Sequence, residues 1–294
     1  MLGDDTFALC LTHDVDRVYK TYQGLYYGLC NQDLTQLRSV LSKENPYWQF
    51  DRIIDIEEEL GVRSAFYFLV EKRLFDDKPP SAWLSPNSWM LYTGRYDVRS
   101  SDVAEVIARL DDGGWEVGLH GSYDSYRDEN RLQWEKETVE SVLGTHVIGG
   151  RQHHLNLSIP ETWQHHANIG LRYDTTLGSN DSFGFEHGYG PRRPFGDDFL
   201  VFPMTIMDVT LPDVSTRPET VRRECNEILE EARENNAIVT INWHQRSFSE
   251  PDFPGLGSLY RRLIERTIEM GGWVGPPGEL YERLRSSDHP WTTQ

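Results

Sequence analysis

Phe7-Ala8-Leu9-Cys10-Leu11 runs directly into Thr12-His13-Asp14-Val15-Asp16, with no turn residue between the apolar half and the acidic half. An apolar run of that length bounded by polar residues suits a buried strand better than a helix. A helix then follows over 51–60, where Ile53, Ile54, Ile56 and Leu60 recur at roughly helical spacing and Gly61 stops it. A second strand over 62–70 completes the unit.

The same pattern repeats along the chain. The sequence predicts a helix over 102–110, a break at Gly113-Gly114 and a strand over 115–119 that ends at His120. A helix over 129–143 ends at Gly144, and 146–149 leads into Arg151. Pro160 suits the first turn of a helix over 160–168, and 170–173 runs into Asp174. An apolar strand over 199–207, interrupted by Pro203, ends near Asp208; an amphipathic helix over 219–235 precedes a strand over 237–243 that runs into His244. Segments over 256–270 and 278–284 close the chain.

Strands alternating with helices imply a parallel sheet with helices outside it. About seven strands favour closure over an open sheet, so the expected fold is α/β: a distorted (β/α) barrel of parallel strands with outer helices. It is expected to occupy residues 1–294 as one domain. The segment around 71–101, with Pro79-Pro80, Trp83, Pro86, Trp89, Tyr92 and Tyr96, has no clear periodicity and reads as a rim insertion over the site. Residues 31–48 read as a similar excursion.

Composition narrows the function. With 47 acidic against 29 basic residues the formal charge is -18, which makes nucleic acid and anionic membranes poor partners because both are polyanions. Cys10, Cys30 and Cys225 are far apart and lack metal-type spacing, and Cys10 reads as a core thiol. No stretch approaches the roughly 20 apolar residues of a membrane span, and the first residues hold neither a basic nor a long hydrophobic region, so a cytoplasmic location is expected.

Asp14, Asp16, His120, Arg151, Asp174 and His244 each follow a predicted strand, and in a parallel barrel those positions share one rim. Two carboxylates two residues apart repel unless a cation or proton separates them, which points to a metal, or to one ligand beside one base. His120 and Asp124 are four apart; on a helical turn they share a face and would make a ligand pair for zinc, manganese or iron. Arg151 can hold a catalytic carboxylate ionised, and of the adjacent His153 and His154 at most one can face a metal on an extended chain. His244 can donate a proton near neutral pH, with Asp174 the expected partner of its other ring nitrogen. Walker A, G-x-G-x-x-G, H-E-x-x-H and G-x-S-x-G motifs are all missing, which disfavours nucleotide use and a serine nucleophile and leaves metal-activated water.

At these residues the chain resembles the polysaccharide deacetylase family, the NodB-homology or carbohydrate esterase family 4 group, from Thr12-His13-Asp14-Val15-Asp16 to Trp243-His244. The resemblance implies metal-dependent removal of an acyl group, typically N-acetyl, from a carbohydrate amide. It implies Asp14 as base, Arg151 as its partner, His244 as acid and Asp174 as the residue that tunes the acid. For the metal, zinc first and then manganese or iron, it implies Asp16 and His120, with Asp124 standing where the family has a second histidine and with His153 and His154 replacing a Pro-Tyr pair. A deacetylase-like glycan-binding protein without turnover, a metal amidohydrolase on a small non-sugar amide, and a glycosidase using Asp14 with Asp174 are the alternatives.

Overall fold

The computed structural model describes residues 7–20, 45–71, 74–92, 94–196 and 198–285. The proposed excursion over 31–48 falls mostly outside these residues, as do Cys30 and His289. The strands are β1 (Ala8–Val15), β2 (Ala65–Leu69), β3 (Glu116–Gly121), β4 (Gly149–Gln152), β5 (Tyr173–Asp174), β6 (Leu200–Val201), β7 (Met204–Met207), β8 (Ile238–Asn242) and β9 (Trp273–Gly275). The helices are α1 (Phe50–Leu60), α2 (Leu74–Asp77), α3 (Pro86–Tyr92), α4 (Ser101–Asp112), α5 (Glu129–Leu143), α6 (Glu161–Asn168), α7 (Pro218–Glu234), α8 (Leu256–Glu269) and α9 (Pro277–Arg285).

The strands pair in the order β6-β5-β4-β3-β2-β1-β8-β7, and β9 adds to β1. Every ladder between named strands is parallel, so the expected distorted (β/α) barrel is what forms. Its two outermost strands, β6 and β7, are consecutive in the chain. Pro203 lies between them and has no N–H to offer a ladder, so one extended segment leaves β5 and joins β8 at that point. β9 is the strand that periodicity missed, being only Trp273–Gly275.

β1 is buried along its whole length. Its pleat sorts the side chains. Phe7, Leu9, Leu11 and Val15 join the large cluster beneath the outer helices, whereas Ala8 and Cys10 join the barrel interior with Ala65, Tyr67, Tyr173, Phe202 and Trp273. Glycines make room for the two tyrosines. A Cβ on Gly118 would lie 2.5 Å from the Tyr67 ring, and one on Gly149 would lie 2.0 Å from the Tyr173 ring.

The segment around 71–101 is helical rather than irregular: α2, a short 3-10 turn (Ala82–Leu84) and α3 precede Tyr96. The Tyr96 hydroxyl donates to the Val15 carbonyl and accepts from the Leu69 amide, both at 2.7 Å. That clamp holds the insertion to the ends of β1 and β2.

At the opposite end of the barrel, the Glu116 carboxylate accepts from the Tyr173 hydroxyl and from the Gly278 amide at the start of α9 (2.9 Å). Burial pushes its carboxyl up to about 7 from an ordinary 4.5. Because the folded value is the higher one, the stability it contributes is complete below the unfolded pKa and is lost as pH rises through the folded one. Replacing it by Glu116→Gln should reduce the fall in stability between about pH 5 and about pH 7 by on the order of 2 kcal/mol. Urea denaturation at both pH values checks this, and equal falls in the two proteins would refute it.

Candidate metal centre

The pleat that sorts the core also builds the site. Asp14 and Asp16 continue the inward parity of Cys10 and Thr12; Arg151 and His153 lie two apart at the end of β4; Asn242 and His244 lie two apart at the end of β8. His120 is the inward residue near the end of β3, paired in register with Arg151. Parallel strands deliver all these ends to one rim, where Asp14, Asp16, His120, His153 and His244 line an open cleft of about 170 Å³ with His154, Leu155, Asn180, Met207, Val209 and Arg246.

Asp16, His120 and His153 bring one ligand atom each within 4.8 Å of one another, and all three are buried. Asp16 Oδ1 lies 3.2 Å from His120 Nε2 and 3.4 Å from His153 Nε2. Ligands about 2.0–2.1 Å from a tetrahedral ion are separated by about 3.3 Å, so this donor set fits a divalent metal ion. His120 Nδ1 lies 3.0 Å from the Arg151 carbonyl; that contact requires the proton on Nδ1 and leaves the Nε2 lone pair toward Asp16. Burial, and then the neighbouring Arg95 guanidinium, push His153 well below its ordinary pKa, so its ring is neutral and available as a ligand.

Burial alone would raise the Asp16 carboxyl, but His153, His120, His244 and Arg246 around it outweigh that and hold it well below the usual range. Its second oxygen faces the other way: Arg246 Nη1 donates to Oδ2 at 2.8 Å, and His244 Nε2 lies 3.5 Å from it. Arg95, from the insertion, donates to the Asp16 carbonyl (3.0 Å) and reaches His153 Nε2 at 3.5 Å.

Two paired groups flank this triad. Asp14 accepts from Arg151 Nη1 on Oδ1 (2.8 Å) and from Asn242 Nδ2 on Oδ2 (2.7 Å). Burial opposes its ionisation, yet Arg151, His120 and His244 lower its pKa below the ordinary value, so it is a carboxylate at neutral pH. Arg151 is fixed in turn by its Nε bond to the Thr175 carbonyl at 3.0 Å. On the other side His244 Nδ1 lies 2.7 Å from Asp208 Oδ1, and the His244 amide donates to Asp208 Oδ2 at 2.9 Å. Burial works against the imidazolium, but Asp208 more than compensates and raises the His244 pKa.

Two assignments change. Asp124 does not join His120, because His120 belongs to strand β3 and the helical i, i+4 relation never forms. Asp124 instead accepts from Lys78 and from the Tyr92 hydroxyl (2.9 Å), which docks the insertion on the loop after β3. Asp174 is not the partner of His244. It accepts from the Trp163 indole (3.1 Å), the Thr176 amide (3.0 Å) and the Thr176 hydroxyl, and His166 Nδ1 lies 3.3 Å away. Asp208 takes that place, at the end of β7 beside β8. The rule that marks polar residues following a strand applies to Asp208 as well, and the spacing of two from Arg151 marks His153. The adjacent His154, with φ of 58°, is exposed at the cleft edge.

No family model matches this sequence, and no curated protein matches it. Among solved structures it is similar to one provisionally assigned as a polysaccharide deacetylase from Mycobacterium smegmatis, with TM-score 0.62, 18% identity, and coverage of 96% of this chain and 91% of that one. The Xyl-CE4 domain of a multidomain xylanase from the hindgut metagenome of Trinervitermes trinervoides matches at TM-score 0.48 and 12% identity, covering 94% and 90% of the two chains. The peptidoglycan deacetylase PdaC from Bacillus subtilis matches at TM-score 0.45 and 12% identity, covering 95% and 93%. The first of these is a likeness of fold: the two chains share one α/β architecture over nearly their whole lengths.

The ligand assignment has a direct test. Metal content by mass spectrometry should be near one ion per chain in the wild type, lost in Asp16→Ala and His153→Ala, and retained in Asp124→Asn. Loss of metal in Asp124→Asn with retention in His153→Ala would reverse the assignment.

Proposed function

We propose that this protein is a metal-dependent hydrolase that removes an acyl group, N-acetyl in the first instance, from a carbohydrate amide. The observation that carries the reading is the placing of one ionised carboxylate, Asp14, and one proton-bearing imidazole, His244, on either side of a His-His-Asp cluster in a single cleft. Zinc suits two imidazoles and a carboxylate, and when bound it would supply a Lewis acid that polarises an amide carbonyl and makes water more acidic.

The chain's own groups do the rest. Asp14, aligned by Arg151 and Asn242 and kept ionised, takes the proton as water attacks the carbonyl carbon. His244 donates its Nδ1–H to Asp208, so as the imidazolium it presents a second proton on Nε2 and passes it to the departing amine nitrogen. Leu155, Met207 and Val209 supply apolar surface beside these groups for a small acyl chain. The exposed Trp83 and Trp89, packed on Phe75 with ring centroids 5.2 and 5.5 Å away, suit stacking against sugar rings. The fold likeness to the Mycobacterium smegmatis structure supports the same reading.

Acetate release from N-acetylated mono- and oligosaccharides by zinc-loaded protein is the test. Asp14→Asn and His244→Ala should each lower kcat by about a thousandfold with zinc retained, and Asp208→Asn should lower it more than Asp174→Asn. A zinc-loaded wild type that releases no acetate from any N-acetylated sugar would overturn the reading.

A further inference from the structure

Arg246 lies two residues beyond His244, on the wall of the same cleft. Its Nη1 donates to Asp16 Oδ2, and its guanidinium makes no other hydrogen bond among the described residues. Arginine has five N–H donors in a planar fork, so the edge formed by Nε and Nη2 is uncommitted. The side chain is 20% exposed, and that exposure opens into the cleft.

The charge balance around it points the same way. Asp14 is matched by Arg151, Asp16 by Arg246 and Asp208 by His244. Arg95 donates to the backbone carbonyls of Leu91 and Asp16, and the Asp16 and Glu71 carboxylates act on its charge. A divalent ion in the triad would add two positive charges that these pairs do not offset. In a chain of formal charge -18, the cleft so loaded would hold a local excess of positive charge, and a buried excess of one sign is stabilised by a counter-ion brought by the ligand.

Building on the deacetylation reading, we infer that Arg246 is a specificity residue that receives an oxyanion, carboxylate or phosphate, carried by the sugar whose amide is cleaved. The free edge of the guanidinium matches either group in bidentate fashion. Its bond to Asp16 fixes the fork beside the reacting groups.

The experiment uses zinc-loaded protein and three probes: N-acetylglucosamine, its uronic acid counterpart 2-acetamido-2-deoxyglucuronic acid, and N-acetylglucosamine 6-phosphate. Ligand-observed NMR gives the affinity of each and follows the acetate methyl signal in the same tube. At least one acidic probe should bind the wild type about tenfold or more tightly than the neutral sugar, and which one identifies the oxyanion. That ratio should fall to near one in Arg246→Gln and be only partly kept in Arg246→Lys, whose ammonium retains the charge but not the bidentate edge. Equal affinities in the wild type, or a ratio unchanged by Arg246→Gln, would overturn the inference. Because zinc itself attracts the acidic probes, zinc content is measured in each variant and the ratios are compared at equal zinc occupancy; a loss of stability then acts on all three probes alike. An Arg246-dependent preference with no acetate release upholds the subsite and sinks the deacetylation reading; acetate release from all three without preference does the reverse.

Discussion

Burying Asp14, Asp16 and Asp208 is the constraint on which the rest of the structure turns. Isolated carboxylates inside a protein cost several kcal/mol each, and removing one partner from a buried pair typically costs about 3–5 kcal/mol. Each of the three is therefore met from elements remote in sequence: Asp14 by Arg151 and Asn242, Asp16 by His120, His153 and Arg246, Asp208 by His244 and Ser247. These contacts require the ends of β1, β3, β4, β7 and β8 to arrive at one level, so the barrel's register and the site's electrostatics are a single condition.

The two faces of β1 divide the labour. Inward residues reach the cleft, while the outward His13 ties the strand to the layer behind it. His13 Nδ1 lies 2.6 Å from the Trp243 carbonyl, and Nε2 lies 3.1 Å from Glu57 Oε1. Glu57 also accepts from the Tyr260 hydroxyl (2.7 Å) and the Trp115 indole (2.8 Å). This fully buried network links β1 to α1, α8 and the residue after β8, and a displacement of β1 would break several buried hydrogen bonds together. The position of Asp14 is thus fixed from behind as well as from within the barrel.

The insertion between β2 and α4 contributes differently. Tyr96 and Arg95 bind the backbone at the end of β1, and Lys78 and Tyr92 converge on Asp124. Asp124 therefore helps to set the rim's shape without touching the metal cluster. Burial, and then the guanidinium that Arg95 brings to His153, keep that imidazole neutral, which is the state a metal ligand needs.

Much of this was determined by the sequence alone. Alternation of apolar runs with amphipathic stretches specified a parallel α/β barrel, because local periodicity follows directly from which face of each element is buried. The polar residues following those runs specified Asp14, Asp16, His120, Arg151 and His244 as a rim constellation, since parallel strands end on the same side. Only the tertiary structure decided the partners. Asp124 was separated from His120 because β3 continues through Gly121, and Asp174 from His244 because its strand lies on the far side of β4, next to Trp163 and His166. Asp208, Asn242, His153 and Arg246 entered instead through strand order and register. Sequence spacing carries the direction a side chain takes from its own strand; which strand stands opposite is set by long-range pairing and packing, and no local pattern encodes it.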